Sequence, residues 1–171
     1  MSKASEPQVS LFDPRVEDPR WLKSFRDLDG LMARALVAAS VETGRQGAVD
    51  ILFTNDAEMH ALNKQWRKID KPTDVLSFPA DGLGEPGQPA LLGDIAIGYE
   101  TALRDAEAMG CPFDAHVSHL LIHGFLHLIG YDHIETADAA VMEPLEAKIL
   151  AGLGWPDPYA TGPYADRKGE G

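Results

Sequence analysis

His123 and His127 stand four residues apart in the stretch His-Gly-Phe-Leu-His-Leu-Ile-Gly-Tyr-Asp-His, residues 123–133. On an α-helix that spacing places both imidazoles on one face, with Cβ atoms about 5–6 Å apart, close enough to share one metal ion. Gly130 follows, a residue that ends helices readily because it tolerates the left-handed conformation. The chain then turns and returns His133 as a third ligand. Three neutral nitrogen ligands with an open fourth position describe a catalytic zinc site, whereas a structural site is closed by four protein ligands. The alternative is a set of core histidines, each satisfied by a backbone carbonyl.

Measured from His123 at about 100° per residue, His116, His119, His127 and Gly130 all fall within about 40° of one line. The rest of the surface from Val117 to Ile129 is mostly apolar, so the helix carrying these histidines belongs in a core. A polar stripe on a buried helix needs partners, and a metal ion supplies them. One ion cannot reach every histidine of the stripe, because His119 and His127 are about 12 Å apart along the axis. His116 and His119 are therefore read as lining the cleft or supporting the ligands. Asp132 is read as orienting a ligand histidine, with a general-base role as the other possibility.

Other elements must hold this helix. Val9 to Phe12 reads as a short strand. Trp21 to Thr43 carries apolar residues at intervals of three and four, an amphipathic helix with an interruption near Asp29-Gly30 and an end at Gly44. Ala48 to Thr54 reads as a strand, followed by a helix capped at Asn55 or Asp56 and running to Trp66. Asp74 to Phe78 is a strand, residues 80–90 a Gly- and Pro-rich loop, and Leu91 to Tyr99 a further strand. Helices follow over Glu100 to Met109, Pro112 to Ile129 and Ala137 to Leu153. Pro144 is expected to end one turn of the last helix or kink it. The fold class is mixed α/β: a small, mainly parallel or mixed four-stranded sheet packed with about five helices around the buried histidine helix. Residues 1–8 are expected to be a disordered tail, 9–155 a single catalytic metal-binding domain and 156–171 a loose C-terminal tail.

Arg67 heads a charged loop that leads into the strand at Asp74. Its planar guanidinium suits two-pronged binding of phosphate, and Lys64, Lys68 and Lys71 around it form the densest basic cluster in the chain. A surface ion pair of Arg67 with Asp70 or Asp74, and a merely solvated lysine loop, are the plain alternatives. Ser77 and Asp94 are further candidates for the cleft. The spacing His-x-x-x-His-x-x-Gly-x-x-His is also that of metzincin peptidases, which place a glutamate base directly after the first histidine. Here that position is Gly124, which has no group to take a proton, so a peptidase is disfavoured. A hydrolase of another substrate, and an assembly factor whose zinc only staples the fold with His116 or His119 completing the cage, remain as alternatives.

The stretch from His123 to His133 resembles the signature of the bacterial YbeY family of endoribonucleases. Arg67 to Pro79 is similar to that family's Arg-x-x-Asp-x-Pro-Thr-Asp-Val-Leu-Ser-Phe segment, and Leu92-Gly93-Asp94-Ile95 to a third block. The resemblance covers about residues 50–155; the first 45 or so match poorly, and Pro144 is unexpected. It implies a zinc-dependent, single-strand-selective endoribonuclease acting in 16S rRNA 3′-end processing, ribosome maturation and ribosome quality control. It implies one zinc ion on His123, His127 and His133, Arg67 as the catalytic arginine, and rRNA precursor with ribosome or small-subunit proteins as partners. Whether water or the RNA 2′-hydroxyl attacks stays open.

Length and composition agree with one soluble domain: 171 residues, 44% hydrophobic and 25% charged. A single cysteine, Cys111, excludes an intramolecular disulfide and a cysteine-based metal cluster. The N-terminus has no apolar signal segment and no run is long enough to span a bilayer, so a cytoplasmic protein without membrane contact is expected. A net charge of −12 argues against broad non-specific nucleic-acid binding but leaves room for a local basic cleft.

Overall fold

The structure, a computed structural model, describes residues 10–11, 14–80, 90–131 and 136–160. The elements in chain order are β1 (Ser10–Leu11), β2 (Arg15–Val16), α1 (Arg20–Ser24), α2 (Leu28–Thr43), β3 (Ala48–Thr54) and α3 (Asp56–Arg67). There follow β4 (Val75–Pro79), β5 (Leu91–Gly98), α4 (Tyr99–Met109), α5 (Phe113–Leu128) and α6 (Thr136–Gly152). They form one mixed sheet with helices, the mixed α/β class expected, and most of its strand pairs are parallel. The strand order is β1-β3-β5-β4. β1 and β2 pair parallel with the first and second halves of β3, so this edge strand comes in two pieces. β5 runs parallel to β3, and β4 closes the other edge antiparallel to β5.

Two features depart from the sequence expectation. The first long helix breaks at Phe25–Asp27, ahead of Asp29-Gly30, because the Asp27 side chain accepts from the Gly30 amide and starts α2 afresh. Gly30 thus sits inside the first turn of α2. α6 runs through Pro144 as one helix. Of the strand expected at residues 9–12, Ser10 and Leu11 are described. The loop residues 81–89, Asp132 and His133 lie outside the described residues, as do residues 1–8 and 161–171.

α5 is the centre of the molecule. It packs on α2, α4, α6, β4 and β5, and its residues from Ala115 to Ile122, Gly124 to Leu126 and Leu128 are buried. The sheet alternates, so neighbouring residues face opposite sides. Ile95 meets α5 at Gly124, while Leu76 and Ala96 join Met59 of α3 in a smaller cluster on the other face. A cluster of Trp21, Phe25, Phe53, Tyr99 and Phe113, with ring centroids 5.0–6.0 Å apart, locks α1 to the sheet and to the start of α5. Trp21 is fully buried and donates its indole N–H to the Thr54 carbonyl at 2.8 Å. α5 is therefore anchored before its histidines are reached.

Candidate metal centre

The i,i+4 spacing does what helical geometry requires. His123 and His127 present their rings to each other with centroids 4.5 Å apart, and the two Nε2 atoms are 3.0 Å apart. Two nitrogens bound to a tetrahedral zinc at about 2.0–2.1 Å lie about 3.3 Å from one another, so little movement separates this pair from a ligating one. The other nitrogen of His123, Nδ1, is 2.6 Å from Oε2 of Glu146.

Glu146, from α6, is the residue that sequence reasoning missed. It is wholly buried. Its second oxygen accepts the Tyr159 hydroxyl proton, and Oε2 lies 3.4 Å from Nε2 of His119. Burial opposes its charge, but the hydrogen bonds from His119 and His123 outweigh that and hold its carboxyl well below the usual carboxylate range. Tyr159 falls in the stretch expected to be a loose tail, yet it is 5% exposed and reaches both Glu146 and, at 3.3 Å, His119. His119 thus stands beside His123, with ring centroids 6.2 Å apart.

Two donor sets overlap here. The ligating atoms of His119, His123 and Glu146 lie within 4.8 Å of one another, compatible with a metal ion. The His123 and His127 Nε2 atoms form the second set. The 2.6 Å His123–Glu146 contact is a hydrogen bond, too short to admit an ion between its atoms. An ion on the first set would have Glu146 as a direct ligand, whereas one on the Nε2 side would leave Glu146 to orient His123 from behind.

Arg67 is the last residue of α3. Lys68 follows with φ 62° and ends that helix in the left-handed conformation. The Arg67 guanidinium donates to the carbonyl of Ser77 on β4 at 2.9 Å, and Ser77 Oγ donates to the carbonyl of Gly124 at 3.2 Å. An arginine far away in sequence is so fixed two hydrogen bonds from Gly124, the residue after His123. Among the described residues neither Asp70 nor Asp74 pairs with Arg67. Asp70 instead takes His60 at 2.6 Å and Lys64 at 4.0 Å. Ser77 is buried beneath α5, and its hydroxyl ties β4 to that helix. Asp94 is on the far face, because the strand alternation that turns Ile95 toward Gly124 turns its neighbour away. There it lines a groove of about 550 Å³ with Asp50, Trp66 and Phe78.

Gly124 explains the missing peptidase base. A Cβ there would sit 3.0 Å from Ile95 Cδ1 and Cγ2 and 3.1 Å from Ser77 Oγ. A glutamate at this position would point into the sheet, away from any ion held by His123 and His127.

Comparison with known proteins identifies the family. The family model described as "Endoribonuclease YbeY" matches residues 21–154. The chain belongs to the YbeY endoribonuclease family. An "Endoribonuclease YbeY" of Rhodopseudomonas palustris (strain BisB18) is 50% identical over 140 residues, covering 78% of this chain and 83% of the relative. One from Bradyrhizobium diazoefficiens is 47% identical over 166 residues, covering 93% of this chain and 90% of the relative. One from Chelativorans sp. (strain BNC1) is 52% identical over 136 residues, covering 78% and 83%. The fold is also that of the solution structure of TM1509 from Thermotoga maritima, at TM-score 0.55 and 25% identity over 86% of this chain and 89% of that one. Among the described residues no helix is long and apolar enough to cross a membrane.

Proposed function

We propose that the chain is a zinc-dependent endoribonuclease that cuts single-stranded RNA. The observation that carries this is the convergence of the His123 and His127 Nε2 atoms at 3.0 Å, with His123 held from its other nitrogen by buried Glu146. A carboxylate behind a histidine fixes the ring's tautomer and raises its basicity as a ligand. The third ligand assigned by this reading is His133 of the same motif. Zinc with an open position lowers the pKa of bound water to about 7 or polarises a phosphoryl oxygen.

Arg67 supplies the substrate contact. It is exposed at the end of α3, and its hydrogen bond to Ser77 leaves a preorganised guanidinium at the edge of the sheet. Such a group stabilises charge that develops on a phosphoryl group. With a net charge of −12, recognition rests on this local group and not on a general basic field. Family membership extends the reading to rRNA precursor, in 16S 3′-end maturation and ribosome quality control, with small-subunit proteins as partners in the cytoplasm.

The test is cleavage of labelled single-stranded and duplex RNA of the same sequence by zinc-loaded protein, beside a His127→Ala control purified identically. Selective cleavage of the single strand, lost in the control, supports the proposal. Equal activity in the control would show a contaminating nuclease and remove its support.

A further inference from the structure

A second cluster sits further back along α5 and plays no part in the chemistry above. Asp74 at the mouth of β4, Asp105 of α4 and His116 of α5 bring their ligating atoms within 4.8 Å of one another. His116 is 2% exposed, and neither of its ring nitrogens has a hydrogen-bond partner. Buried polar atoms are nearly always hydrogen-bonded, so two unpartnered nitrogens on one ring call for an explanation. Beside it Asp105 is half-buried; burial, with Asp74 as hydrogen-bond partner and like charge, pushes its carboxyl up to about 6. The site thus combines a hungry imidazole with two carboxylates that repel when both are charged.

We propose that Asp74, Asp105 and His116 form a second divalent-cation site, suited to a first-row transition ion such as Mn²⁺ or Zn²⁺. An ion there gives the imidazole its missing partner and turns the carboxylate repulsion into attraction. One nitrogen and two carboxylate oxygens suit such ions, whereas Mg²⁺ and Ca²⁺ prefer oxygen alone. Three donors on one ion at about 2.0–2.2 Å lie about 3.3–3.8 Å from one another, so from separations within 4.8 Å the side chains would close in by at most about 1.5 Å. Asp74 and Asp105 are half-buried, which leaves a way in.

The two centres do not act as a catalytic pair. His116 and His123 are two helical turns apart, about 10 Å along the axis, and paired catalytic ions stand about 3.5–4 Å apart. The second ion is a clamp. It ties the residue just before β4 to α4 and α5, and β4 carries the Ser77 carbonyl that holds Arg67.

The test uses the full chain stripped of metal and reloaded with one equivalent of Zn²⁺. Zinc binds nitrogen-rich sites more tightly than manganese, so it occupies the histidine centre and Mn²⁺ reports on the second. MnCl₂ is then titrated while the spectrum of free Mn²⁺ is followed by electron paramagnetic resonance. The expected result is saturable uptake of one Mn²⁺ per chain, weakened about 10-fold or more in Asp105→Asn and in His116→Gln, as loss of a donor should cost at least what loss of an outer partner does. Zinc content should stay at one in both variants. Should a variant fail to fold, the wild type decides: Mn²⁺ must broaden the amide signals of Asp74, Asp105 and His116 before those around His127. No uptake beyond the zinc, uptake unchanged in both variants, or broadening centred on His127 would each overturn the proposal.

Discussion

Glu146→Gln is the perturbation that separates the two ways an ion could sit beside His123. Glutamine keeps the shape and one carbonyl oxygen, so His123 Nδ1 retains an acceptor and the change is loss of charge. A hydrogen bond to a charged group is worth about 1.5–3 kcal/mol and a neutral one about 0.5–1.5. Two histidines face the carboxylate, at 2.6 and 3.4 Å. Weakening both, against the relief of no longer burying a charge, predicts a net loss of about 1–2 kcal/mol. For a chain of this size that lowers Tm by about 2–8 °C. Acting from behind His123, Glu146 should contribute about 10–100-fold to zinc affinity, measured by competition with a chromophoric chelator. If Glu146 binds the ion directly, the loss should exceed that range, and X-ray absorption should lose an oxygen donor. A variant with wild-type affinity and Tm would refute both arrangements. The pH dependence follows from the lowered carboxyl. Its stabilising contribution is complete above the unfolded value near 4.5 and disappears as pH falls below it. The Tm difference between wild type and Glu146→Gln should therefore be largest near neutral pH and shrink on acidification.

Gly124→Ala gains about 1 kcal/mol of helix propensity but meets Ile95 and Ser77 at 3.0–3.1 Å, and overpacking costs about 1–3 kcal/mol. Denaturant unfolding should show a loss of about 1 kcal/mol, and a gain in stability would mean the helix does not approach the sheet as described. Zinc-loaded Gly124→Glu should show no hydrolysis of casein, since its carboxylate would face β4 and β5. Arg67→Ala should keep its zinc and shift Tm little, because an exposed side chain and one hydrogen bond are lost, yet slow RNA cleavage about 10²–10³-fold. Arg67→Lys should recover only part, as an ammonium lacks the planar fork; an Arg67→Ala protein that cleaves at the wild-type rate would remove the role.

Local patterns in the sequence carried most of the fold. The periodic residues of α2 and the glycines at 44 and 110 mark helix ends where the backbone turns left-handed, at φ 70° and 67°. The His123–His127 face was legible because an i,i+4 pair needs no knowledge of anything outside its own helix. Glu146 was not, since it meets His123 across 23 residues of sequence and its helix shows no polar stripe to mark a buried carboxylate. Tyr159 hid in a Pro- and Gly-rich segment whose composition reads as loose. Asp94 was only a candidate for the cleft, because its motif does not show which face of the strand it takes, and one residue along a strand changes the face. Asp74, Asp105 and His116 belong to separate elements that only the packing of α4 and α5 brings together.

The central claim is that an ion held by His123 and His127 drives cleavage of single-stranded RNA. The direct measurement is the cleavage rate of metal-stripped protein as Zn²⁺ is added back, with bound zinc counted in the same samples, for wild type and His127→Ala. The account predicts a wild-type rate that rises with the first bound zinc, and a variant that neither retains that zinc nor regains the rate. Cleavage that is independent of zinc, or a His127→Ala protein that recovers the wild-type rate, would contradict it.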